Sequence, residues 1–140
     1  MTSGPTDASQ QGRAAAVAAA PVRYHSTREQ PGEAGVDFEA ALLAGLAPDG
    51  GLYLPRPLPA LPADWQDARS PADLGARVLP PYVGAEQAAV ESLLRDALDF
   101  PMPLVPLSRD RYVLELFHGP TLAFKDVGAR TMARLLAAAA

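Results

Sequence analysis

Lys125 is the only lysine of the chain; the rest of its 12 basic residues are arginines. A lysine amine, unlike a guanidinium, can give up its proton near neutral pH, so it alone among the basic side chains can attack a carbonyl and form a Schiff base. It stands within Glu115-Leu116-Phe117-His118-Gly119-Pro120-Thr121-Leu122-Ala123-Phe124-Lys125-Asp126-Val127-Gly128, with apolar Leu122, Ala123 and Phe124 before it and a helical pattern after it. Burial at such a place and the positive end of the following helix both favour the neutral amine, the second by about 0.3–1 kcal/mol. Asp126, if ionised and close, opposes them. The residue types therefore permit amine–carbonyl chemistry. They permit equally a surface lysine at a helix start, paired with Asp126.

Other side chains could assist. His118 follows an apolar run, where a histidine ordinarily braces a loop by a hydrogen bond; direct contact with a substrate is the sharper reading. Thr121 can donate to a ligand or cap the helix that follows. Phe124 fits a core position, and less simply a place against a bound ring. Ser26, Thr27 and Arg28 combine hydroxyls with a guanidinium, a set suited to phosphate, although a surface loop is the plainer reading. The chain has no cysteine, which removes disulfides, thiolate metal sites and a cysteine nucleophile; no metal is assigned. A formal net charge of −4 argues against a nucleic-acid or anionic-membrane binder. No apolar run approaches the roughly 20 residues of a membrane helix. An acidic, cysteine-free chain fits the cytoplasm.

These residues need elements to position them. Residues 1–21 are rich in Gly, Ser, Gln and Ala without hydrophobic period and read as a disordered tail; the apolar segment 14–20 is too short and alanine-rich to favour a secretory signal. Residues 22–26 suit a short strand. Asp37 is a helix N-cap, with Phe38, Ala41, Leu42 and Leu46 at helical spacing up to the turn Pro48-Asp49-Gly50-Gly51. Residues 52–54 suit a second strand, and 55–62 hold too many prolines for regular structure. Ser70-Pro71 opens a helix carrying Leu74, Val78 and Leu79 that stops before Pro80-Pro81. A further helix spans 85–98, its stripe formed by Val90, Leu93, Leu94, Ala97 and Leu98. Pro101, Pro103 and Pro106 predict an extended connection and a domain boundary. Residues 112–117 predict a mostly buried strand, His118-Gly119-Pro120 a turn, and 126–139 a helix with Val127, Met132, Leu135 and Leu136 inward. Strand, loop and helix in that order open an α/β unit whose sheet these residues do not complete.

The stretch from Glu115 to Gly128 closely resembles the cofactor-lysine motif of threonine synthases. Relatives such as threonine dehydratases and cysteine synthases typically carry Ser or Thr two residues before the lysine, where this chain has Ala123. Tyr24-His25-Ser26-Thr27-Arg28 resembles the opening of the same family, and residues 38–55 resemble its N-terminal domain. The resemblance runs from residue 22 to residue 140 in order.

That resemblance implies an α/β chain: a small N-terminal α+β domain over 22–100, then over 101–140 the start of a fold type II pyridoxal-phosphate domain, truncated here. It implies a lyase of threonine biosynthesis that converts O-phospho-L-homoserine and water to L-threonine and phosphate. Lys125 would hold pyridoxal 5'-phosphate covalently, with Phe124 near the ring and Thr121, His118 and Arg28 as substrate contacts. The family's glycine-rich phosphate loop and the asparagine facing the ring hydroxyl are not among these residues, so the 140 residues alone are expected to be inactive. Two other readings remain open: an interaction module without chemistry, and another fold type II enzyme such as a serine or threonine deaminase. Oligomeric state is not legible.

Overall fold

The computed structural model describes residues 22–30 and 32–139. The disordered tail expected over 1–21 lies outside them. Strand β1 (Arg23–Ser26) pairs antiparallel with β2 (Tyr53–Arg56). Between them runs α1 (Phe38–Ala44), whose N-cap is Asp37 as expected: its carboxylate accepts the Ala40 N–H at 2.8 Å. The helix ends at Gly45, with φ 70°, a left-handed value that suits glycine.

The proline-rich segment after residue 54 is more regular than expected, because β2 includes Pro55. Its register explains why. Pro55 lies opposite Tyr24, whose own N–H and C=O are bonded to Val36 on the other side at 2.7 and 2.9 Å. No ladder bond at that position asks for the N–H that proline lacks.

Helix α2 (Pro71–Val78) starts as the sequence indicates, with the Ser70 hydroxyl accepting the Asp73 N–H at 3.1 Å. The Asp73 carboxylate takes the Arg69 N–H at 2.8 Å and the Arg77 Nε–H at 2.9 Å. The helix stops before Pro80-Pro81 as expected, but the proline pair does not end helical structure altogether. It opens instead a one-turn helix, α3 (Pro80–Val83), since prolines in a first turn forgo only N–H groups that have no helical partner. Helix α4 (Gln87–Ala97) lies against α2. Ala72, Val90 and Leu94 form the buried centre, with Leu79, Val83, Leu93 and Leu98 around it. A side chain at Gly75 would run into Leu94, so this glycine sets how closely the two helices approach.

The segment 101–117 departs most from expectation. The proline-bearing connection contains a strand, β3 (Leu104–Ser108), which forms a hairpin with β4 (Arg111–Leu114). The register shifts between Pro106 and Ser108, a bulge where a proline is tolerated. Strand β4 stops at Leu114, three residues early. Glu115 N–H still reaches the Pro103 carbonyl at 3.0 Å, but Pro103 has no N–H to return and the ladder ends. Nor is β4 buried: Tyr112, Val113 and Leu114 are all exposed, because no described element lies over either face of the hairpin. The strand expected within an α/β unit is thus an exposed antiparallel one. The last helix, α5 (Lys125–Ala139), follows. The described residues therefore form a mixed α/β fold with two small two-stranded sheets.

Candidate functional site

Lys125 is the first residue of α5. It is exposed, as are Leu122 and Phe124 at 75% and 66%. The apolar surroundings that were expected to bury the amine are present in sequence but open to solvent here, and Phe124 occupies no core position. Lys125 forms no ion pair among the described residues; in particular it is not joined to Asp126, so the paired surface lysine is not what the geometry shows.

Asp126 is turned the other way. It is 5% exposed, and its carboxylate accepts the Thr121 N–H at 2.8 Å and the Thr121 hydroxyl at 2.7 Å. Those bonds, the hydroxyl first, hold the carboxyl below its ordinary range, against the opposing effect of desolvation. Thr121 itself is exposed, but its hydroxyl proton is committed to Asp126, leaving only acceptor capacity toward a ligand. His118 pairs with Glu115 at 2.7 Å and its ring lies 4.7 Å from that of Phe117, which is the loop-bracing arrangement.

Arg28 belongs to another cluster. The buried Ser26 hydroxyl donates to both oxygens of Asp49 at 2.7 and 2.8 Å and accepts the Arg28 N–H at 3.1 Å. The Gly51 N–H reaches Asp49 at 2.8 Å, and Thr27 receives the Leu52 N–H at 3.0 Å. The Gly51 N–H and then the Ser26 hydroxyl hold Asp49 below its ordinary range. The exposed Arg28 guanidinium donates to the Asp49 carbonyl at 3.2 Å. So 24–28 and 48–52, distant in sequence, form one knot. Among the described residues no hydrogen bond joins this knot to the segment around Lys125.

Sequence reasoning passed over Arg130. Its guanidinium donates to the carbonyls of Ala97 at 2.7 Å and Asp96 at 3.1 Å, pairs with Asp99 at 2.6 Å and lies 5.8 Å from the Phe100 ring centre. It thereby satisfies carbonyls left unpaired at the end of α4 and fixes α5 to it. Arg134 adds an ion pair with Asp96. The separation of 33 residues between Arg130 and Ala97 leaves no signal of the contact in the sequence. A cleft of about 700 Å³ between α1, α4 and the far end of α5 is lined by Phe38, Val90, Leu93, Arg134 and Leu135, at the end of α5 away from Lys125. No helix among the described residues is long and apolar enough to cross a membrane.

The mixed α/β fold of the described residues matches threonine synthase structures. It superposes on a pyridoxal-phosphate-bound threonine synthase from Brucella melitensis with a TM-score of 0.74 and 41% identity, covering 84% of this chain and 27% of that one. It superposes on threonine synthase from Escherichia coli with a TM-score of 0.69 and 36% identity, covering 74% and 26%. The family model for the threonine synthase N terminus matches residues 23–98. Threonine synthase from Pseudomonas aeruginosa is 42% identical over 126 residues, covering 82% of this chain and 26% of the relative. The chain belongs to the threonine synthase family, and it spans about a quarter of the length of the curated relatives it matches.

Proposed function

We propose that this chain is the N-terminal portion of an enzyme that converts O-phospho-L-homoserine and water to L-threonine and phosphate, acting in the cytoplasm, and that Lys125 is its cofactor-bearing residue. The observation that carries the reading is the placing of Lys125. The only lysine of the chain opens a 15-residue helix, exposed, with its neighbouring carboxylate bonded elsewhere. A primary amine so presented fits covalent attachment of pyridoxal 5'-phosphate, the group named for the Brucella melitensis relative.

In this reading residues 22–100 form the N-terminal domain and 101–140 open a fold type II cofactor domain. The bound cofactor supplies an electron sink for the pair released at the substrate α carbon. Lys125 would hold the cofactor covalently and, when free of it, would carry protons at the substrate α and β carbons. Phe124, exposed beside it, would be available to a bound ring. Arg28 keeps guanidinium donors available for the substrate phosphate, and His118 and Thr121 line the approach to the lysine. The 140 residues alone are proposed to be inactive.

Borohydride reduction of the native protein with pyridoxal phosphate, followed by peptide mass mapping, is the test. A pyridoxyl mass on the peptide containing Lys125 is expected. Labelling of a different residue would reject the assignment.

A further inference from the structure

We propose that Asp126 is a positioning residue: by binding Thr121 it fixes the loop 119–125 and so sets where the Lys125 amine stands. The proposal rests on the reading of Lys125 given above. Asp126 and Ser26 are buried polar residues of the described chain, and a buried carboxylate must find donors. The two short hydrogen bonds of the Asp126 carboxylate come from Thr121, five residues earlier, one backbone and one hydroxyl, with the Ala123 backbone N–H also turned toward the carboxylate. Together they close the segment from Thr121 to Asp126 into a ring with Lys125 on it.

Two further features serve the same closure. The Leu122 N–H donates to the Gly119 carbonyl at 3.0 Å, and Leu122 adopts φ 56°. A left-handed conformation is unfavourable for a non-glycine residue, so the surroundings must impose it. Gly119 is buried, and a Cβ there would lie 2.5 Å from Asp126 Oδ2 and 2.8 Å from Asp126 Cβ. The backbone can approach the carboxylate only where a side chain is missing. A strained leucine, a side-chain-free position and a buried carboxylate meet within eight residues around one exposed lysine. A helix start needs none of this, since a single capping oxygen suffices. Strain of this kind persists where neighbours over-determine it, characteristically beside reacting groups.

The test uses the native protein that carries this chain, with Thr121→Val, Asp126→Asn and the double variant. Two readouts are taken. One is the rate at which an amine-acylating reagent modifies Lys125 in the cofactor-free protein, read by peptide mass. The other is kcat and KM for phosphate release from O-phospho-L-homoserine. Each single variant is expected to shift the acylation rate severalfold and to lower kcat by about 10- to 100-fold, the cost of a misplaced reacting group, with KM little changed. The double variant is expected to lose no more than Asp126→Asn alone, because the hydroxyl bond that Thr121→Val removes is one the Asp126 change already disturbs. Thr121→Ser, which keeps the hydroxyl, should recover most of the rate that Thr121→Val loses. Wild-type acylation and kcat in both single variants, or losses that multiply in the double, would overturn the proposal. If Lys125→Arg keeps full phosphate release, the functional reading falls instead, and the acylation rates still decide the role of Asp126.

Discussion

Residues 22–98 and residues 101–124 solve opposite problems. The first region holds every buried apolar side chain of the described residues, although Leu43, Leu52, Leu58 and Leu61 stay exposed. Leu94 is 3% exposed between α2 and α4, and Ser26 is sealed against Asp49. The second region exposes Leu104, Leu107, Tyr112, Leu114 and Phe117 on a two-stranded hairpin, an arrangement with little stability of its own. What order it has next to Lys125 comes from a few polar bonds: Asp126 to Thr121, Glu115 to His118, and Arg130 back to α4. The contrast separates stability from chemistry. Substitutions in the buried core of the first region should act on folding, and those around Lys125 on reactivity.

The largest expected effect sharpens that division. Lys125→Ala in the native protein should lower phosphate release by on the order of 10²–10⁴-fold, the range for losing a positioned proton carrier. The unfolding midpoint should barely move, because the side chain is exposed and unpaired among the described residues. A large fall in thermal stability would show that the lysine holds the fold and would break the comparison. Leu94→Ala is the converse. It removes the centre of the α2–α4 core and should destabilise by about 2–5 kcal/mol, while protein that remains folded keeps its rate of Lys125 acylation.

How much of this was legible in the sequence follows the same division. Where the first region closes on itself, local signals sufficed: the Asp37 and Ser70 caps and the Val90/Leu94/Ala97 stripe are present as read. A cap depends on residues three apart and a stripe on one helix, so neither needs distant partners. The segment before Lys125 misled for a physical reason. An apolar run over 112–117 states that the residues are sticky, not what covers them, and in the described structure nothing does. The extension of β2 through Pro55 and the strand holding Pro106 were missed because proline is excluded from a ladder only where its N–H would be used, and that depends on register. The pairing of Ser26 with Asp49 and of Arg130 with the end of α4 spans 23 and 33 residues, separations at which one sequence carries no signal of contact.

Arg130 lets the comparison be tested at the seam. It is the main polar tie between α5 and α4, with Arg134–Asp96 beside it. Arg130→Met keeps the stem over Phe100 and removes the donors. A cost of about 1–2 kcal/mol is expected for a partly exposed guanidinium bound to carbonyls. Hydrogen exchange should quicken in α5 and at the end of α4, and leave β1, β2 and α2 as they were. Uniformly faster exchange would mean the two regions unfold as one.

The smallest effect is the most discriminating, because Asp49 and Asp73 in the first region and Asp126 beside Lys125 are all held below the ordinary value of 3.8, and Asp49 and Asp126 can be compared directly. Asp49 is held by the Gly51 N–H and the Ser26 hydroxyl, Asp126 by the hydroxyl and N–H of Thr121. For both, the folded value lies below the unfolded one. Their contribution is therefore complete above about pH 4 and is lost as pH falls below 3.8 toward the depressed folded value. The two losses should appear in different places. Asp49 ties β1 to the turn before β2, so protonating it should lower the stability of the whole first region, and Asp49→Asn should flatten the acid limb of the global unfolding curve. Asp126 closes only a loop, so Asp126→Asn should leave that limb alone and abolish the acid dependence of hydrogen exchange at residues 121–126. If Asp126→Asn flattens the global limb as much as Asp49→Asn does, the lysine loop is part of the folding core, and the two regions are not the separate designs that their burial suggests.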